Sequence, residues 1–184
     1  ANGVLFGHGA QVNVGALLAT TSDISDEDFS KENYRFTKPG GANASIVNQG
    51  TITVGKGGSV VFSASRVSNE GLIKADLGTV VLGGARAFTV DLDGDNLIRY
   101  QITEPVAEAP KDGGGTPASA LVSNSGTISA AGGSVLMTAR AARSVENNVI
   151  NNTGIVEANS VSTHNGEIVL DAGPDGTVTA GNAS

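Results

Sequence analysis

A chain of 184 residues with 5 Phe, 2 Tyr and no Trp cannot fill a wide globular core with aromatic side chains, so its interior must be narrow and aliphatic. A formal net charge of −7, with only 11 Lys and Arg scattered along the chain, lacks the basic stripe that nucleic-acid binding requires. Zero Cys excludes a disulfide framework, and no apolar run reaches membrane-spanning length.

In chain order, residues 1–20 read as first coils: Val4-Leu5-Phe6-Gly7, Ala10-Gln11-Val12-Asn13-Val14, then Leu17-Leu18-Ala19. Ala1-Asn2-Gly3 looks like the middle of something already under way, so an earlier portion is expected. Ser25-Asp26-Glu27-Asp28 is a helix start, with Ser as cap and acids in the first turn. It predicts a short helix or turn over about 25–32, lying outside the main body and packed down by Tyr34 and Phe36. Pro39-Gly40-Gly41 ends that excursion.

Residues 45–88 carry the clearest repeats. Asn48-Gln49-Gly50-Thr51-Ile52, Asn69-Glu70-Gly71-Leu72-Ile73, Asn124-Ser125-Gly126-Thr127-Ile128 and Asn152-Thr153-Gly154-Ile155-Val156 share one pattern, and Asn13-Val14-Gly15-Ala16-Leu17 reads as a fifth copy. A period of about 20 residues marks a solenoid, whose repeats bury their apolar faces only against neighbours. Within a repeat the period is two. Val67, Asn69, Gly71, Ile73 and Ala75 face inward, and Ser68, Glu70, Leu72 and Lys74 face water. A second strand follows each first one: Val60, Phe62 and Ala64 point in, as do Val80 and Leu82, then Val135, Met137 and Ala139, then Ile168, Leu170 and Ala172. Short alternating strands, Gly-rich corners and no helical period predict an all-β parallel β-helix. At this length it would make roughly seven or eight coils, a rod of about 35–40 Å at one strand spacing per coil.

At Asp91 the rhythm breaks. Phe88 to Leu92 and Leu97 to Ile102 alternate about Asp93-Gly94-Asp95-Asn96, the signature of a β-hairpin over about 88–103 outside the helix. Residues 104–118, with three Pro and Gly113-Gly114-Gly115, read as a flexible loop. Coils resume at 119, residues 140–148 look like a bulge or helical turn, and 166–180 supply two last strands. The whole of 1–184 is expected to be one domain, a fragment of a longer chain. Ends without caps would expose strand edges, so end-to-end self-association is an expectation too.

Several residues stand out as candidate sites. Asn48, Asn69, Asn124 and Asn152 recur at one inward corner, where an amide is costly unless bonded; stacked coil over coil, they can bond one another as a structural ladder. The Gly two residues on supplies either positive φ or room. Val61, Val81, Leu136 and Val169 share the outward phase, three residues after a corner Gly. They form an aliphatic column that the hairpin covers or that meets a partner. Asp91-Leu92-Asp93-Gly94-Asp95-Asn96 resembles the start of a calcium loop, but an EF-hand needs Glu at position twelve, where Ile102 stands. His8 and His164 have no ligand spacing and support no triad. Glu157, Glu167 and Asp171 lie in the last coils, with Glu70 and Asp76 far off in sequence. They make no convergent acid–base cluster of the kind β-helix polysaccharide lyases and hydrolases use. The expectation is therefore no catalytic residue, no metal and no cofactor.

The chain resembles the N-terminal secretion domain of filamentous haemagglutinin-type exoproteins, exported by two-partner secretion. The resemblance rests on Asn2-Gly3-Val4-Leu5-Phe6-Gly7, Gly9-Ala10-Gln11-Val12-Asn13-Val14-Gly15, the run from Leu17 to Phe29, Val47-Asn48-Gln49-Gly50-Thr51-Ile52, Leu92-Asp93-Gly94-Asp95 and Asn165-Gly166-Glu167-Ile168-Val169-Leu170-Asp171. Asn2, Gly3 and Val4 look like the remnant of that family's Asn-Pro-Asn-Gly secretion segment, whose first part is absent here. The resemblance implies a right-handed, single-stranded parallel β-helix with extra-helical β elements. It implies recognition by an Omp85-type outer-membrane transporter through its periplasmic domains, and delivery through periplasm and outer membrane to the surface or medium. Zero Cys suits passage as an unfolded chain, and folding outside would help drive export. Full-length members are adhesins, haemolysins or contact-dependent toxins, which act on host or neighbouring cells through the remainder of the chain. The rival readings are a self-assembling structural filament and a β-helix lyase or hydrolase.

Overall fold

A computed structural model describes residues 3–91, 98–111, 115–142, 148–161, 164–174 and 176–181. The strands stack as a parallel β-helix with three faces. The first face is the sheet of Gly3–Phe6, Ser45–Asn48, Arg66–Asn69, Val122–Asn124, Asn148–Asn152 and Thr177–Ala180. The second is Gln11–Val14, Thr51–Val54, Leu72–Lys74, Thr127–Ser129 and Ile155–Glu157, and the third is Leu17–Thr20, Ser59–Ala64, Thr79–Gly84, Ser134–Ala139 and Glu167–Asp171. Each strand pairs in parallel with its counterpart one coil away, as translation of a repeat demands. Ile73 lies between Ile52 and Ile128, Val80 between Val60 and Val135, and Val67 between Ile46 and Val122.

The described residues make five complete coils and the first strand of a sixth, roughly 24 Å of stack at one strand spacing per coil. The expected seven or eight coils counted residues that in fact leave the helix. Residues 21–44 depart between the first and second coils, and the described residues of 85–121 between the third and fourth. The fifth repeat copy is also corrected. Asn13 pairs with Thr53 on the second face and is exposed, whereas the first-coil partner of Asn48 is Phe6.

The inward phase is as the alternation predicts. Val60, Phe62, Ala64, Val67, Ile73, Ala75, Val80, Leu82, Met137 and Ala139 are fully buried, with Val135 almost so. Each such Val, Ile, Leu, Met or Phe side chain contributes about 1.5–3 kcal/mol by leaving water. Ile168 keeps this phase, in register with Val135, yet is 45% exposed because no described strand lies beyond it on that face. Ser68 keeps the outward phase but is buried, and its hydroxyl donates to Glu70 and accepts from Ser123.

Corner glycines serve room rather than positive φ. A Cβ on Gly71 would run into the carbonyl oxygen of Gly50, one on Gly126 into that of Gly71, and one on Gly154 into that of Gly126. Coils approach so closely at this corner that only hydrogen fits between them.

Both excursions leave after the third strand of a coil, and they meet. Asp23–Ile24, Arg35–Lys38, Ala87–Asp91 and Arg99–Glu104 form an antiparallel sheet, with the last two strands as a hairpin. The hairpin's tip, including the Asp93 to Asn96 stretch, lies outside the described residues. A short helix, Asp26–Ser30, starts where expected. Ser25 accepts from the Asp28 amide at 3.0 Å, and Arg35 clamps Asp28 at 2.7 Å. Tyr34 and Phe36 do not pack this helix down: none of its residues is buried, and Phe29 is 65% exposed. Phe36 instead stacks on Phe88 at 4.6 Å. Nor is 104–118 wholly loop. Val106 is buried within the coil interior, bridging Ala141 and donating to the Arg140 carbonyl at 2.8 Å. Of the expected bulge over 140–148, residues 143–147 lie outside the described set.

Candidate functional site

The repeated Asn corner forms a continuous chain of side-chain amides. Asn48 donates from Nδ2 to Asn69 Oδ1 at 2.8 Å, Asn69 to Asn124 at 2.8 Å, and Asn124 to Asn152 at 2.8 Å. Asn48 Oδ1 accepts from the Gly50 amide at 3.1 Å. The backbone runs beside this chain: the Gly71 amide donates to Asn48, Gly126 to Asn69 and Gly154 to Asn124. Asn48, Asn69 and Asn124 are buried and fully occupied. Among the described residues, the amides of these three Asn are used in holding one coil to the next.

The outward aliphatic column divides in two. Its first-coil member is Leu18, in register with Val61, and Leu18 packs on the Phe36–Phe88–Val90 cluster of the antiparallel sheet. Val61 is 2% exposed and Val81 0%, so half of the expected strip is an internal interface rather than a surface. Leu136 is half-buried and Val169 is 38% exposed, so of the four predicted strip residues these two reach the surface. Tyr100 locks the covered half. Its ring stacks on Phe88 at 5.2 Å, and its hydroxyl meets Ser63 Oγ at 2.6 Å. It lies so close over Gly83 that a Cβ there would collide with the phenol. Burial pushes the Tyr100 phenol far above its ordinary range, against the opposing pull of Ser63.

The carboxylates do not converge. Asp171 pairs with Arg140 at 2.7 Å and takes the Gly173 amide, and Arg140 chiefly holds it below the usual carboxylate range. Asp28 is likewise held low, chiefly by Arg35 and then by Ser25. Glu70 accepts from Gln49 at 3.0 Å, and Asp76 pairs with Lys74 at 3.3 Å. Glu157 and Glu167 stand exposed on the second and third faces. A general acid needs a raised pKa in a closed site; Asp171 and Asp28 are shifted the opposite way, on the surface. His8 and His164 are exposed, and among the described residues no three His, Asp or Glu gather as metal ligands. Of the secretion-segment residues, Gly3 and Val4 pair with Ser45 and Ile46, while Asn2 lies outside the described set.

Sequence reasoning missed two features. One is the aromatic dock of Tyr34, Phe36, Phe88 and Tyr100. Among the Phe and Tyr, only Phe6 and Phe62 belong to coils, and the clustering of the rest in two excursions was a readable signal. The other is a cleft of about 430 Å³ at the corner between the second and third faces, lined by Lys56, Lys74, Asp76, Leu77, Ala131 and Val161. Leu77 there takes φ 55°, in a column otherwise held by Gly57 and Gly132.

Comparison with known proteins agrees with this architecture. The secretion domain of HMW1 from Haemophilus influenzae superimposes with a TM-score of 0.69, at 33% identity, over 92% of this chain and 40% of that one. The heme/hemopexin-binding protein of Haemophilus influenzae is 30% identical over 178 residues, which is 93% of this chain and 18% of that protein. The chain thus spans under half the length of either relative. The TPS secretion domain family matches residues 1–184, and the chain belongs to that family: it is a two-partner secretion domain, of the kind exported across the outer membrane.

Proposed function

We propose that this domain is the portion of a large exoprotein that the outer-membrane transporter recognises, and the template on which the rest of the chain folds once outside. The transporter is of the Omp85 type and engages the domain through its periplasmic modules. The remainder of the exoprotein acts as an adhesin or toxin on host or neighbouring cells. The domain itself performs no catalysis.

The observation that carries this reading is the match to the TPS secretion domain along the entire chain, combined with what a coil stack does physically. Each coil buries Ile, Val and Leu on the one before, and continues both the parallel ladder and the Asn48–Asn69–Asn124–Asn152 chain. Coil addition therefore releases free energy stepwise, and a chain emerging from a pore gains at every coil. The Asn ladder serves this as a structural registry device, since a coil that slips by one residue loses its bonds.

The experiment is co-expression of residues 1–184, behind an export signal, with and without the paired transporter, scoring folded domain in the medium. Appearance only with the transporter supports the reading. Equal release without it, or retention despite a folded domain, refutes it.

A further inference from the structure

The antiparallel sheet over the third face is one strand short. It covers the outward column at Leu18, Val61 and Val81, and stops at the hairpin strand Arg99–Glu104. Tyr100 of that strand reaches down to Ser63 and Gly83, in the second and third coils. The column itself continues into the fourth and fifth coils as Leu136 and Val169, in register with Val81.

The edge that faces this uncovered stretch is unpaired among the described residues. Val90 donates its amide to Tyr34 at 3.0 Å, on the side away from the hairpin partner. Alternation then gives Thr89 to the ladder with Gln101. On the last strand it turns the peptide groups of Tyr100 and Ile102 to the open edge. An open edge above an aliphatic floor is a seat for an added strand.

We propose that this seat binds an extended segment of a partner polypeptide, with aliphatic side chains at alternate positions and a Lys or Arg at one end. Backbone groups of Tyr100 and Ile102 hold the segment, its aliphatic side chains cover Leu136 and Val169, and its cation meets Glu167. Glu167 is outward, exposed and in register with Ser134, and it has no ion pair among the described residues. Across the seat, Asp171 is already satisfied by Arg140, so the charge complement is one-sided and sets the direction of the segment. The proposed occupant is a lone strand, and its binding extends the existing contact between the third face and the antiparallel sheet; edge-to-edge pairing of a second copy is the outcome that sedimentation tests.

The test uses a capped nine-residue peptide alternating Val and Thr, with Lys at one end. Controls are its order-scrambled form, a form N-methylated on the edge-facing amides, and a form with Glu for Lys. Amide hydrogen exchange of the 184-residue domain is followed by NMR at millimolar peptide. The expected result is slowing of the Tyr100 and Ile102 amides by about tenfold or more, with the rest of the ladder unchanged. Scrambling or N-methylation should abolish the effect. The Glu peptide should lose it with the natural domain and regain it with Glu167→Lys. Val169→Asp, at an exposed position, should abolish it while leaving the melting temperature within a few degrees of the parent. Unchanged exchange at these two amides would overturn the proposal. So would equal protection by the scrambled peptide, or protection that tracks dimerisation in sedimentation.

Discussion

Ile73 and Phe88 are both fully buried, and their surroundings have little in common. Ile73 is held by near-copies of itself: Ile52 on one side, Ile128 on the other, in a column that continues to Val156. Phe88 is held by residues that resemble nothing nearby in sequence, Phe36 from the first excursion and Tyr100 from the far arm of its own hairpin. The coil stack is cohesive by translation, so each contact is repeated and each loss is shared with two neighbours. The antiparallel sheet is cohesive through one apolar cluster, Phe36, Phe88 and Val90, with a few partly buried residues around it. A repeat protein is thus tolerant of detail along its axis and dependent on single residues wherever something is docked on its side.

The most severe way to break the stack is Ile73→Asp. An unpaired charge in the interior and the lost burial should together cost about 4–5 kcal/mol or prevent folding; a thermal melt that does not move would mean the inward phase is misassigned. Phe88→Ala should cost about 3–4 kcal/mol but fall on the other region. Near-ultraviolet signal from the Tyr should collapse while the far-ultraviolet β signal persists. If both vanish together, the two regions are one cooperative unit and the contrast drawn above fails. Asn69→Leu removes one rung and strands the amide of Asn48 and the oxygen of Asn124, at a cost of about 2–3 kcal/mol. Asn152→Leu, at the half-buried end of the ladder, should cost less in the same urea titration.

Smaller effects sharpen the comparison at the surface. Ser25→Ala should loosen the helix cap by about 1 kcal/mol, seen as faster exchange at Asp28 without change in the coils. The Arg140–Asp171 pair supplies a pH signature. Because Asp171 is held low in the folded state, its contribution is present at neutral pH and above the ordinary carboxylate range. It is lost only as pH falls through the depressed folded value. Being half-exposed, the pair is worth under about 1 kcal/mol. Arg140→Gln should lower the melting temperature slightly at pH 7, and by less as pH falls through the depressed folded value of Asp171; a loss that does not shrink with falling pH would show that Arg140 acts by packing instead.

The coils were legible because a solenoid writes its tertiary contacts into its primary period. When every strand lies on its own copy, alternation in one repeat and the spacing of repeats together specify which side chains share a column. That is why spacing alone aligns Ile52, Ile73 and Ile128, and the four ladder Asn residues. The same logic misled at Asn13, whose Asn-x-Gly spelling matched a repeat although its strand belongs to a different face. Short motifs of small residues recur at more than one corner. Val61 and Val81 were legible as outward but not as buried, because what covers them arrives from two insertions with no period.

By itself, then, the order of residues determined the class of fold, the inward and outward phases, the capped helix and the hairpin, since each follows from chemistry within a few residues or from simple repetition. Only the tertiary structure decided the number of coils, the meeting of the two excursions in one sheet, the aromatic dock through Tyr100, and which part of the aliphatic column stays open. Those depend on where segments far apart in the chain come to lie. No local propensity encodes that, because the free energy that selects it arises only once both partners are in place.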